Sequence, residues 1–303
     1  MTRLRNSRVA RGNVCFALLV LISSVIFWRS LVVVFAAAFY NDQYSHILLI
    51  PPVSMALLYS ERPKMFRNVE YCFPAGLFLL LLVMAFAWVT RFLPFLSQND
   101  ALSLRMAFFV SWVVMAFVFC FGIAAFRVAI FPLLFLLLMV PIPDFVLEWT
   151  VWLLQKSSTD MTYLLLKAAN VPVLRKDFVL SLPGIDIEVA KECSGIRSSL
   201  ILFIVSLVLG HLFLQPGWRQ VLLGLLVFPI AVAKNSLRIF TLSTLAVYVD
   251  PTFLYGNLHL HGGIVFFSVA LGVVILVVWW LKKSENNASN QINITQAHDI
   301  RPL

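Results

Sequence analysis

Charge is scarce in this chain: only 12% of its 303 residues are Asp, Glu, Lys or Arg, about half the share found in soluble domains. Water is therefore not its main solvent. No internal repeat, Walker-type loop or dinucleotide fingerprint occurs, which excludes solenoid architecture and phosphate cradles of those kinds. What is present is apolar: 61% of residues are hydrophobic, including 27 phenylalanines and eight tryptophans, and the mean hydropathy is +0.93. The net charge of +9 is scattered at the ends of apolar runs and never forms a basic face, so no nucleic-acid partner is expected.

A run of about 18 or more residues with few charges is long enough to cross a hydrocarbon core of about 30 Å as a helix. Such runs lie at roughly 14–38, 45–60, 73–91, 104–121, 126–141, 198–215, 219–248 and 262–281. The expected fold is an all-α polytopic membrane protein with about eight transmembrane helices. The first run is too long for the apolar core of a cleaved signal peptide and is expected to remain a membrane helix. Positive charge marks the cytoplasmic side. Arg3, Arg5, Arg8 and Arg11 put residues 1–13 inside, and Arg62, Lys64, Arg67, Arg127, Arg219, Lys282 and Lys283 then fall on the same side by alternation. Arg91 and Arg105 are the exceptions. Residues 14–281 form one integral-membrane domain in this reading, in the inner cell membrane, with both termini cytoplasmic. The tail 282–303 has too little apolar content to fold alone and is expected to be disordered.

Residues 142–197 are the one long stretch that is not plainly membrane-spanning, and alternation places them on the outer side. Phe145 to Ala169 mixes Trp149, Trp152 and several leucines with Glu148, Lys156, Asp160 and Lys167, as in a helix lying in the interface. Phe178 to Leu182, a Pro183-Gly184 turn and the alternation of Ile185, Ile187 and Val189 with Asp186 and Glu188 predict a β-hairpin. It leads directly to Glu192-Cys193-Ser194-Gly195, just before the sixth membrane helix.

Topology sorts the four cysteines: Cys15, Cys72 and Cys120 fall at inner membrane ends, and Cys193 alone sits outside, with no disulfide partner. A lone thiol in an oxidising compartment is a liability unless used, and its thiolate is a nucleophile. Arg238 lies with Lys234 and Asn235 in the outer half of an otherwise apolar run; an arginine at such depth normally faces a protein-lined cavity. It is suited to lowering a thiol pKa or holding an oxyanion. His259 and His261 stand at the outer mouth of the last helix and titrate where proton transfer to a leaving amine needs it. A zinc site at these two histidines lacks further ligands beyond His46 and Asp42 near another loop, so no metal and no cofactor are expected.

Glu192-Cys193-Ser194-Gly195-Ile196-Arg197-Ser198, Asn235-Ser236-Leu237-Arg238 and His259-Leu260-His261-Gly262-Gly263 resemble the three motifs of the exosortase/archaeosortase family of membrane transpeptidases. Asn41 to His46 and Met139 to Pro143 resemble its other recurrent segments, so the likeness extends from about residue 40 to 281. It implies a cysteine transpeptidase that cuts a C-terminal sorting signal of exported proteins: a short motif such as Pro-Glu-Pro, a membrane helix and a basic tail. Cys193 is then the nucleophile and Arg238 the positioning or oxyanion-stabilising cation. The spacing to Gly263 favours His259 as acid/base, with His261 the alternative. Glu192, Ser194, Gly195, Arg197 and Asn235 support them. A histidine at this position resembles the bacterial members of the family. Two other readings remain at this stage: a transporter or channel subunit using Arg238 and Asp42, and a membrane acyltransferase linked to exopolysaccharide export using His46 or Asp160.

Overall fold

Helix lets an apolar segment satisfy its own backbone N–H and C=O groups away from water, and the chain takes that route almost throughout. A computed structural model describes residues 2–66, 77, 80, 81, 84, 85, 88, 96–191, 195–254 and 263–299. The chain divides into two units, Met1–Leu147 and Glu148–Leu303.

The first unit contains α1 (Thr2–Ile26), α2 (Trp28–Tyr40), a 3₁₀ helix (Asp42–Leu49), α3 (Ile50–Met65) and α4 (Gln98–Phe135), which runs on as a 3₁₀ helix (Leu136–Met139). The expected crossing 14–38 is interrupted only at Phe27, where φ −96° and ψ 14° leave the helical region. As one straight rod the 42 apolar residues Gln98–Met139 would run roughly 63 Å, twice the hydrocarbon core. They fold back instead at Gly122, whose φ of 82° and ψ of 173° favour glycine. Their ends meet: Asn99 Nδ2 donates to Ile142 O at 2.9 Å and to Asp144 Oδ1 at 2.7 Å. The segment thus matches the expected pair of crossings 104–121 and 126–141.

Where this hairpin closes, two helix N-termini cap each other. Ser97 Oγ accepts from Asp100 N at 3.0 Å and donates to Asp144 Oδ2 at 2.5 Å, while Asp100 Oδ1 accepts from Asp144 N at 2.8 Å. Side-chain oxygens thereby take up orphan N–H groups of both helices. Tyr44 OH donates to Asn99 Oδ1 at 3.3 Å, so Asn99 ties segment 41–46 to segment 139–143. Burial, and then the charge of Asp144, push the Tyr44 phenol up. The core below is aromatic and aliphatic, with Phe16, Phe117 and Phe121 edge to face over Val110, Val114 and Leu133.

The second unit holds most of α5 (Asp144–Ala168), a three-stranded antiparallel sheet of β1 (Leu174–Lys176), β2 (Val179–Leu182) and β3 (Ile185–Glu188), then α6 (Ile196–Phe213), α7 (Trp218–Tyr248) and α8 (Gly263–Asp299). The predicted hairpin is present, with Leu182 opposite Ile185 across Pro183-Gly184 and Gly184 at φ 80°. β1, which the sequence reading omitted, adds to its other edge. Leu180 and Leu182 pack with Leu166, Val171, Phe240 and Val247, fastening the sheet to α5 and α7. Helix α5 is inverted relative to a water-facing helix. It buries Gln155, Ser158, Thr159 and Thr162 and exposes Phe145, Trp149, Trp152 and Leu164, the distribution expected when the surroundings are apolar and the polar groups turn inward.

Helices α6, α7 and α8 share an aliphatic core of Leu202, Leu223, Val227, Val274 and Leu281. One end of this bundle is latched by Glu285, which is 3% exposed. It accepts from Gln215 N at 3.1 Å and Lys282 Nζ at 2.8 Å, and Arg219 stands 3.9 Å away. Arg219 and Lys282 therefore lie at the same end, as alternation required. Residues 282–299, part of the tail expected to be disordered, continue α8 as helix.

Among the described residues, five helices are long and apolar enough to cross a membrane, one of them the folded-back Gln98–Met139 that matches two of the expected crossings. They are Val9–Ile26, Gln98–Met139, Ile196–Phe213, Trp218–Tyr248 and Gly263–Asn287. The expected segment 45–60 is divided between the 3₁₀ helix and the 16-residue α3. The expected segment 73–91 lies largely outside the described residues.

Candidate functional site

Nineteen residues separate Arg219 from Arg238 on α7, roughly 29 Å along a straight helix, about the thickness of a hydrocarbon core. Arg238 thus belongs to the end of the bundle opposite the Glu285 latch. Helix α6 runs its 18 residues from Ile196 toward the latch, so its N-terminus also lies at the Arg238 end.

These two ends touch. Gly195 precedes α6 with φ 74°, and a Cβ built there would lie 2.9 Å from Asn235 Oδ1 and 3.1 Å from Asn235 Cγ. Asn235 and Arg238, three residues apart, share a face of α7. The Gly195 end of the Cys-Ser-Gly motif is therefore packed on the first residue of the Asn-x-x-Arg motif. Asn235 is itself 1% exposed and fixed from below by α5, where its Nδ2 donates to Ser158 Oγ at 3.1 Å. Ser236 Oγ donates to Ser158 O at 3.2 Å and to Val232 O at 2.8 Å, and Thr162 Oγ1 donates to Ser236 O at 3.4 Å. The buried polar stripe of α5 is accordingly the platform on which this part of α7 rests. The same stripe reaches the sheet, because Gln155 Nε2 donates to Val189 O at 2.5 Å, four residues before Cys193.

A second tie joins α7 to α6. Lys234 Nζ donates to Ser198 Oγ, and Ser198 Oγ in turn donates to Gly195 O at 3.1 Å. Ser199 Oγ donates to the same carbonyl at 2.8 Å. An ammonium, two hydroxyls and an amide thus lock the backbone at Gly195 against α7, which carries the half-buried Arg238 three residues beyond Asn235. Chemically, such an arrangement offers fixed positive charge and preorganised donors in surroundings of low polarity, where each acts more strongly on an anion than it would in water.

The tight Gly195–Asn235 contact makes a prediction. Gly195→Ala adds a Cβ within 2.9 Å of Asn235 Oδ1 at a backbone φ of 74°, and the left-handed conformation alone costs about 1–2 kcal/mol for a non-glycine residue. The variant is expected to melt at a lower temperature in detergent than the natural chain. An unchanged midpoint would mean that the contact is not tight.

Of the residues singled out from sequence, Gly195, Asn235 and Arg238 are gathered at one end of the bundle. Arg197, in the first turn of α6, is exposed. Glu192, Cys193, Ser194, His259 and His261 lie outside the described residues. The path toward the histidines is visible as far as the 3₁₀ turn Pro251–Leu254, where Asp250 Oδ1 accepts from Thr252 N at 2.8 Å. Asp160 and His46, candidates under another reading, have other surroundings. Asp160 pairs with Arg175, and His46 is buried in the first unit. Sequence reasoning missed the roles of Lys234, Ser198 and Ser158. Lys234 carried the same signal as Arg238, a cation inside an apolar run. Gln155, Ser158, Thr159 and Thr162 repeat at i, i+3, i+4 and i+7, which is a helical polar stripe.

No curated protein and no solved structure matches the chain. The family model of the transmembrane exosortases matches residues 28–276. That span takes in both units, the inverted helix α5, and the packed pair of motifs at Gly195 and Asn235. The chain belongs to the transmembrane exosortase family.

Proposed function

We propose that this protein is a membrane-embedded cysteine transpeptidase that cuts the C-terminal sorting signal of exported proteins on the outer face of the inner membrane. The observation that carries this reading is the packing of Gly195 on Asn235, which brings the chain two residues after Cys193 against the helix that bears Arg238.

In the reaction, the Cys193 thiolate attacks the scissile carbonyl carbon and a C–S bond forms. Arg238 holds the oxyanion of the tetrahedral intermediate, where a fixed cation in a low-dielectric site is most effective. As the C–N bond breaks, its electron pair goes to nitrogen, which takes a proton from the imidazolium of His259, with His261 as the alternative. The departing piece is the membrane helix and basic tail of the signal. The remaining thioester is attacked by an acceptor nucleophile or water, which gives its proton to the imidazole and expels the thiolate. The partners are therefore exported proteins with a tripartite signal and the bilayer that holds both. The charge pattern, with Arg219 and Lys282 at the latch end, supports placing Arg238 on the non-cytoplasmic side.

The test is the size of a co-expressed protein that ends in a Pro-Glu-Pro motif, an apolar helix and basic residues. Conversion to a shorter form that depends on this chain is expected. The same full-length product with and without the chain would overturn the proposal.

A further inference from the structure

Lys234 is a buried cation that the mechanism above does not use. It lies inside an apolar span, is 8% exposed, and gives one of its three N–H donors to Ser198 Oγ. A hydroxyl neutralises no charge. Among the described residues no Asp or Glu forms an ion pair with Lys234. Arg238 follows it by one helical turn, so two positive charges share a face of α7. Like charges at that spacing repel, and removing an ammonium from water costs several kcal/mol in a real protein unless an anion accompanies it. A cation retained under those conditions calls for an anion to accompany it.

We propose that Lys234 is a specificity-determining residue that binds a carboxylate side chain of the substrate close to the bond that is cut. This rests on the cysteine-transpeptidase reading and deepens it. The position follows from helix geometry: Lys234 and Arg238 are four residues apart, about 6 Å along the axis. An extended peptide advances about 3.3 Å per residue. A carbonyl held at Arg238 therefore puts an acidic side chain at Lys234 only when that side chain lies within two residues of the scissile bond. The hydrogen bond to Ser198 aims the ammonium and leaves its remaining donors for the carboxylate. Ser198 donates onward to Gly195 O, so the group that reads the substrate is tied to the backbone that leads to Cys193.

The experiment compares two co-expressed substrates, one with a glutamate in the motif and one with that glutamate changed to glutamine, on the full-length enzyme in membranes. The ratio of their conversion rates does not depend on how much enzyme folds. The natural enzyme is expected to prefer the acidic substrate by about tenfold or more, the range for losing one partner of a buried charge pair. Lys234→Gln and Lys234→Met are expected to convert both substrates within about twofold of each other, and Lys234→Arg to keep most of the preference. A natural enzyme that does not discriminate overturns the proposal without any variant. So does an equal preference in the natural enzyme and Lys234→Gln, which would make Lys234 a structural residue. If the variants lower both substrates equally and follow the content of anionic lipid, the anion is a headgroup and the proposal also fails. A Cys193→Ala control separates this from the parent reading. Conversion that needs Cys193 but shows an unaltered ratio removes only the role of Lys234.

Discussion

Replacing Cys193 by Ala leaves a co-expressed signal-bearing protein at full length while the variant accumulates in the membrane as the natural chain does. The expected effect is the largest of any substitution, because the thioester cannot form. Removing the nucleophile from a cooperating set costs about six orders of magnitude in turnover. The binding and oxyanion groups that remain give a rate about 10³ to 10⁴ over water, which is invisible on the time scale of cell growth. Cys193→Ser keeps the shape but supplies a much weaker nucleophile, and it also leaves the substrate whole. Immunoblotting of the substrate measures both. Normal shortening by either variant would remove the cysteine from the mechanism.

The second largest effect belongs to Arg238. Arg238→Ala is expected to slow conversion by about 10² to 10³, the loss typical of one preorganised oxyanion donor. Arg238→Lys is expected to recover only part of this, since it keeps the charge but loses the planar fork that holds two contacts at once. Pulse–chase of the substrate gives the rates, and the loss should appear in the maximal rate rather than in substrate saturation, because the oxyanion exists only during reaction. A rate for Arg238→Ala within about twofold of the natural enzyme would assign Arg238 to folding alone. Asn235 is the control for position: it rests on Ser158 and against Gly195, so changing it disturbs the alignment of two helices and not the charge.

Much of this arrangement was legible in the amino-acid order, and what escaped has common causes. Long apolar runs gave α6, α7 and the start of α8 within a few residues, because hydrophobic length is set by the bilayer and needs no partner. Gly122, where α4 folds back, lies between the expected crossings 104–121 and 126–141. The strands β2 and β3 were visible in the alternation 185–189 and in Pro183-Gly184, whereas β1 is a three-residue edge strand with every residue exposed and carries no pattern. The Glu285 latch was not legible, because it joins α8 to Arg219, 66 positions away along the chain. The site shows the same division. An arginine in an apolar span announces itself; a serine on α5 that supports Asn235 across 77 residues does not. Lys234 lay between the two, visible as a charge but without its partner Ser198, which only the packing of α6 on α7 supplies.

The most direct test is the intact mass of the purified enzyme quenched in acid during its first turnover of a signal-bearing substrate. A covalent route through the cysteine predicts a population heavier by the retained acyl piece of the substrate, attached at Cys193, released by neutral hydroxylamine and missing from Cys193→Ala. Product appearing in that first turnover with the adduct on another side chain, or with no adduct at all, would contradict it.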